Sequence, residues 1–149
     1  MTRKEAREQA FILLFEQTIQ QKPAEEVFAD AQEARDFVTK PFIRQLVLGV
    51  DTNSEAINEE VEKNLKGWKL RRLSRVSYTI LRLSVYEILY EPTIPVSVSI
   101  NEAVELAKKY GSQEDASYIN GVLSSLEKTA KYTKDLRAAA PKNAQPSKD

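Results

Sequence analysis

Arg3, Lys4 and Arg7 put three cations into the first turns of the helical pattern that opens the chain. A spacing of four residues sets Arg3 and Arg7 on one helix face, from which both could reach phosphates of a single strand. Cations at a helix start oppose the positive end of the helix dipole, so something must offset them. Either an anionic ligand does so, or Glu5 and Glu8 pair with them at an exposed end. Tyr110 and Tyr118 bracket a turn at Gly111, where their rings could stack on unpaired bases or fill the core. Glu114 and Asp115 suit the positive start of the helix that follows.

A second stripe, Arg71, Arg75, Tyr78 and Arg82, falls at i, i+4, i+7 and i+11 on an otherwise apolar helix. It reads as a partner surface or as a solvated charged face. Glu87 projects toward the apolar side of the same helix, where an unpaired carboxylate is costly; an arginine or a helix end is its expected partner. Asn120 and Gly121 read as local packing and turn chemistry.

The inventory excludes most catalytic kits. Cysteine and histidine are both absent, which removes thiolate nucleophiles, disulfides, imidazole metal ligands and serine-histidine triads. Four scattered glycines cannot form a glycine-rich phosphate loop. No enzyme activity, cofactor or metal is therefore expected. With 22 basic and 22 acidic residues, attraction to a polyanion must come from local patches. The amino end lacks the uninterrupted apolar run of a signal peptide, and no stretch approaches the roughly 20 apolar residues of a membrane span. A cytoplasmic protein is the expectation.

The elements that must position these residues are helices. Thr2 and Glu5 have the form of a capping box for helix one, which runs to about Gln20 with Ala6, Ala10, Phe11, Leu13, Leu14 and Phe15 on its apolar side. Pro23 begins a second helix ending near Phe37. From Pro41, apolar residues at Phe42, Leu46, Val50, Ile57, Val61 and Leu65 trace one long third helix, terminated by Gly67. Gly49 interrupts it at a cost of roughly 1 kcal/mol relative to alanine, implying close approach by the backbone of a neighbouring helix. Leu70 to Tyr90 is apolar around most of its circumference and should be the central element. Pro92 and Pro95 force an extended connection, and Ser99 with Glu102 reads as a second capping box opening helix five. Gly111 ends that helix, and Ser112 with Asp115 forms a third box. Beyond about Lys131 the periodicity fades into a polar tail, expected to be disordered.

The opening ThrArgLysGluAlaArgGluGlnAla (Thr2 to Ala10), the centre IleLeuArgLeuSerValTyrGlu (Ile80 to Glu87), the block from Ile94 to Gly111 and IleAsnGlyValLeu (Ile119 to Leu123) resemble the NusB family over roughly residues 2 to 128. The resemblance implies an all-α fold of two packed three-helix-bundle-like halves, about 2–66 and 70–130, within one NusB-like helical domain over 1–131, followed by a 132–149 tail. It implies an RNA-binding transcription antitermination factor that pairs with the ribosomal protein NusE. The pair would bind boxA-type single-stranded signals in nascent ribosomal RNA within an RNA polymerase antitermination complex.

On that basis Arg3, Lys4 and Arg7 match basic RNA-binding positions, Tyr110 and Tyr118 match aromatic ones, and Glu114 an acidic one beside the RNA. Glu5 stands where some relatives have another basic residue. Phe15, Arg71, Arg75, Ser77, Tyr78 and Arg82 become the expected partner contacts, with Ser77 standing where some relatives carry an acid. The free chain is expected to be a monomer or a homodimer. Alternatives are a helical adaptor that binds protein but no RNA, and an accessory domain related to ribosomal-RNA methyltransferases, although no cofactor-binding segment follows in this sequence.

Overall fold

A computed structural model describes residues 1–35, 40–65 and 70–139, with the side chains of Arg35, Arg71 and 130–139 outside the description. Among the described residues the regular structure is entirely helical: α1 (Arg3–Gln20), α2 (Ala24–Arg35), α3 (Pro41–Thr52), α4 (Ser54–Lys63), a single 3₁₀ turn (Leu70–Arg72), α5 (Arg75–Tyr90), α6 (Val96–Tyr110) and α7 (Gln113–Ala139). Gly67 and the end of the second helix near Phe37 fall outside the described residues.

The capping chemistry explains where several helices begin. Thr2 accepts from the Glu5 amide at 3.1 Å while Glu5 accepts from the Thr2 amide at 3.0 Å, so α1 opens with the expected reciprocal box. Ser112 and Asp115 exchange the same pair of bonds, both at 3.0 Å, at the start of α7. The expected box at Ser99 and Glu102 does not form. Here α6 begins at Val96, with Pro95 in the extended conformation before it, because proline's fixed φ suits a helix entry and its missing amide costs nothing there. Ser99 is thereby inside the helix and buried, with its hydroxyl donating to Glu87 Oε1 at 3.0 Å.

Three further boundaries differ from the sequence expectation. The first is the start of the fourth helix: Leu70–Arg72 forms a 3₁₀ turn and the α-helix begins only at Arg75, capped by Ser74, so Arg71 does not share a helix with Arg75. The long third helix is two helices: at Asn53 the backbone leaves helical geometry (φ −103°, ψ 20°), and the Asn53 side-chain amide donates to the Gly49 carbonyl at 2.8 Å. Apolar periodicity survives such a break because both pieces bury the same side, through Ile43, Leu46, Val47 and Val50 in α3 and Ile57 and Val61 in α4. At the carboxyl end, α7 continues to Ala139, past the point where the periodicity fades.

α5 is the hub. It packs on α1, α3 and α4 on one side and on α6 and α7 on the other, and residues Ser77 and Thr79 through Glu87 are all buried. α5, α6 and α7 contact one another as a three-helix bundle, and α1, α2 and α3 do the same; a single hydrophobic core runs through both groups. Gly49 marks the closest approach of α3 to α5. A Cβ there would lie 2.3 Å from the Tyr86 ring, so the neighbour that requires glycine is a side chain and not the expected backbone. The ring cannot easily yield, because the Tyr86 hydroxyl donates to the buried Glu91 at 2.7 Å and Gln45 donates to the same carboxylate at 2.5 Å. No helix among the described residues is long and apolar enough to cross a membrane.

Candidate nucleic-acid interface

The first two turns of α1 lie beside α6, and this seam gathers most of the charged residues singled out at the amino end. Arg3 is exposed and its guanidinium sits 4.1 Å from the centroid of the Phe42 ring, a cation-π contact that orients it without neutralising it. Lys4 is exposed too, and its ammonium lies 3.7 Å from the Glu102 carboxylate on α6. Neither contact removes the side chain from solvent.

Arg7 behaves differently, and the expectation that it shares an open face with Arg3 is corrected. It is 5% exposed; its Nε donates to Glu87 Oε2 at 2.6 Å, and Nη1 lies 3.5 Å from Glu102 Oε1. The reason lies in α1's apolar side, where Ala6, Ala10, Phe11 and Leu14 face the core and carry Arg7 inward with them. With Ser99 donating to the other Glu87 oxygen, the carboxylate is satisfied on both sides. Glu87 thus has the arginine partner that its burial demanded. Arg7 acts here as the cation that ties α1 to α5 and α6.

The seam opens to a cleft of about 140 Å³ whose walls carry Lys4, Arg7 and Glu8 from α1 and Glu102, Glu105, Leu106 and Lys109 from α6. Tyr110 borders it. Its ring lies 4.9 Å from that of Phe11, and its hydroxyl donates to Glu8. Burial, followed by that bond to a carboxylate, pushes the phenol up to about 12. Lys109 pairs with the same Glu8 at 2.5 Å. Both partners hold the Glu8 carboxyl below the usual carboxylate range, the Lys109 hydrogen bond contributing most. Tyr118, in the second turn of α7, is half-buried against the core, and burial raises its phenol pKa. Glu114 is exposed in the first turn of α7. The structure therefore brings Lys4 and Arg7 into the cleft, with Tyr110 bordering it through Glu8 and Phe11, while Arg3 turns to Phe42 on α3 and Tyr118 and Glu114 do not line the cleft.

Sequence reasoning missed Glu102 and Lys109. The only signal for Lys109 was a pair of lysines in the last turn of α6, a favourable place for cations against the helix dipole. Nothing local shows that Glu8, about a hundred residues earlier, supplies its partner.

The second stripe is corrected more extensively. Arg82 is 7% exposed, donates to Ser54 Oγ at 3.2 Å and lies 5.1 Å from the Tyr78 ring centroid. Ser77 is 3% exposed, with its amide donating to the N-cap hydroxyl of Ser74 at 3.0 Å, so it cannot contact a partner across a surface. The Tyr78 hydroxyl donates to Asn58 at 3.2 Å. The physical cause is α4: the turn at Asn53 lays it along this face of α5 and covers the stripe. Arg75 remains exposed at the rim and donates to the Thr18 carbonyl at 2.9 Å. Phe15 is half-buried, stacked on Phe11 at 6.0 Å. The Arg71 side chain lies outside the described residues.

Comparison with known proteins gives the same result along three routes. Residues 4–128 match the NusB family. The transcription antitermination protein NusB of Clostridium novyi (strain NT) is 41% identical over 132 residues, covering 86% of this chain and 99% of that relative. That of Geobacillus kaustophilus (strain HTA426) is 43% identical over 127 residues, covering 85% and 96%. Among solved structures, T. maritima NusB superimposes with a TM-score of 0.81 at 30% identity, covering 91% of this chain and 98% of that one. A chain from the crystal structure of antitermination factors NusB and NusE in complex with dsRNA superimposes with a TM-score of 0.77 at 28% identity, covering 85% and 96%.

Proposed function

The chain belongs to the NusB family, and from that premise we propose that it is an RNA-binding antitermination factor that acts with NusE on boxA-type RNA and promotes read-through by RNA polymerase. It works in the cytoplasm by binding alone, with no catalytic step. One observation carries this reading beyond family membership: exposed Lys4 lines the cleft between α1 and α6, exposed Arg3 precedes it on α1, and the Tyr110 ring, backed by Phe11, borders the same seam from the last turn of α6. Cations for a backbone and a ring for a base are what a single strand requires. Tyr118 and Glu114, at the start of α7, extend the contact past the Gly111 turn. Arg75, Tyr78 and Phe15 form the rim that meets NusE, while Ser77 and Arg82 support it from within.

The test is equilibrium binding of a boxA-type RNA, with and without NusE, against a scrambled sequence and against the duplex form. Tight, boxA-selective binding that requires NusE is the expected result. Log affinity should fall with log salt by about 0.7 per neutralised phosphate of a single strand. Equal affinity for scrambled RNA would remove the specific claim.

A second reading, a helical adaptor that binds protein but no RNA, is favoured by the carboxylates of Glu102 and Glu87, which already face Lys4 and Arg7. An Arg3→Ala/Lys4→Ala variant separates the two: the adaptor keeps every activity, and the RNA-binding factor loses affinity for boxA while keeping NusE.

A further inference from the structure

The carboxylates along the seam do not hold their cations equally. Arg7 and Glu87 are 6% and 1% exposed in their side chains, at 2.6 Å, so exchange of that pair with an outside anion would strand a buried charge. The Lys109 side chain is 62% exposed and its Glu8 partner 24%. Ion pairs in such positions are weak and are exchanged at little cost. Glu8 does more than pair with Lys109: the same oxygen that faces the ammonium accepts the Tyr110 hydroxyl. One carboxylate therefore restrains a cation and a ring at the mouth of a cleft that Lys4 enters from the opposite helix. The cleft's two acids on α6 face other cations, Glu105 facing Lys108 at 3.6 Å and Glu102 facing Lys4 and Arg7.

We infer that Lys109 is a further phosphate-binding residue of the RNA interface and that Glu8 is its latch, holding Lys109 and Tyr110 against α1 until a phosphate replaces the carboxylate. The inference rests on the proposed RNA-binding reading and adds to it a residue and an order of events. An arriving phosphate takes the Lys109 ammonium and repels the Glu8 carboxylate it displaces; as Glu8 withdraws, the Tyr110 hydroxyl exchanges that bond for one to water and its ring can turn toward a base. No covalent bond forms or breaks. Lys109 lies one residue before Tyr110 and its ammonium is 5.6 Å from that ring centroid, so phosphate and base of one nucleotide are within reach of adjacent side chains.

The test is binding of fluorescently labelled boxA-type RNA to the full chain saturated with NusE, over a salt series, for the wild type, Lys4→Ala, Lys109→Ala, Lys109→Arg, Glu8→Gln and the Glu8→Gln/Lys109→Ala double variant. Lys109→Ala should weaken binding several-fold and lower the log–log salt slope by about 0.7, one phosphate's worth. Lys109→Arg should restore the slope. Glu8→Gln should tighten binding several-fold, and that gain should disappear in the double variant. A slope unchanged by Lys109→Ala while Lys4→Ala lowers it overturns the inference and leaves the RNA-binding reading standing. Slopes unchanged by both overturn the reading of the seam as well. Circular dichroism checks that each variant keeps its helices, which is expected because Lys109 is exposed.

Discussion

Arg7 and Arg82 occupy equivalent places in two basic stripes, one on α1 and one on α5, and the core draws both inward, yet they are accommodated in different ways. Arg7 meets the Glu87 carboxylate at 2.6 Å and lies 3.5 Å from Glu102. Arg82 meets a serine hydroxyl and a tyrosine ring, and its buried Nε has no hydrogen-bond partner among the described residues. A stripe on a helix wheel gives a face, and whether another helix covers that face depends on the rest of the fold. The α1 stripe keeps two exposed members, Lys4 in the wall of an open cleft and Arg3 over the Phe42 ring. α4 covers most of the α5 stripe, and Arg75 is left at its edge.

The largest effects should come from breaking the Arg7 side of this contrast. Glu87→Ala strands Arg7 in the core and should lower the unfolding free energy by about 3–5 kcal/mol, read by urea denaturation. A loss below about 1 kcal/mol would mean that Arg7 reaches solvent and that the seam is looser than described. The packing that keeps α5 central is tested by Gly49→Ala. Its added methyl meets the Tyr86 ring, and the expected loss is about 1–3 kcal/mol by the same measurement. Ser112→Ala removes the hydroxyl that caps α7 and should cost about 1 kcal/mol in thermal or urea unfolding.

Arg82→Met sharpens the comparison, because no carboxylate partner of Arg82 is present among the described residues and an apolar side chain of similar length leaves no charge behind. Stability should stay within about 1 kcal/mol of the wild type, or rise, whereas Arg7→Met leaves Glu87 uncompensated and should fall well below it. The smallest effect is expected of Glu114→Gln: no change in stability, with RNA binding unchanged or tighter as repulsion of phosphate is reduced. Clear weakening in a salt-controlled assay would contradict the repulsive role and mean that the carboxylate itself supports binding.

What was legible in the sequence was what local chemistry decides. The Thr2/Glu5 and Ser112/Asp115 boxes, the apolar girth of α5 and the need of Glu87 for a cation all follow from residues within a turn or from the cost of burying charge, and each appears in the structure. The break at Asn53 was hidden because α3 and α4 bury the same side, so the apolar pattern continues across it. Ser99 and Glu102 satisfy the capping pattern, but Pro95 starts the helix earlier and the hydroxyl finds Glu87 instead. At the candidate site the cations and the ring were readable one by one. Their carboxylate partners were not, since Glu8 with Lys109 and Lys4 with Glu102 join residues about a hundred positions apart, and only the packing of α1 on α5 and α6 brings them together.

The account stands on the seam between α1 and α6 being the surface that RNA occupies, and amide chemical-shift mapping tests that most directly. The labelled chain is first saturated with unlabelled NusE, so that its effects are already present, and boxA-type RNA is then titrated in. The expected perturbations gather on the first turns of α1, the last turn of α6 and the start of α7, with α2 and α4 unmoved. Perturbations centred on α4 and the Arg75 edge of α5, with Lys4 and Tyr110 silent, would contradict it.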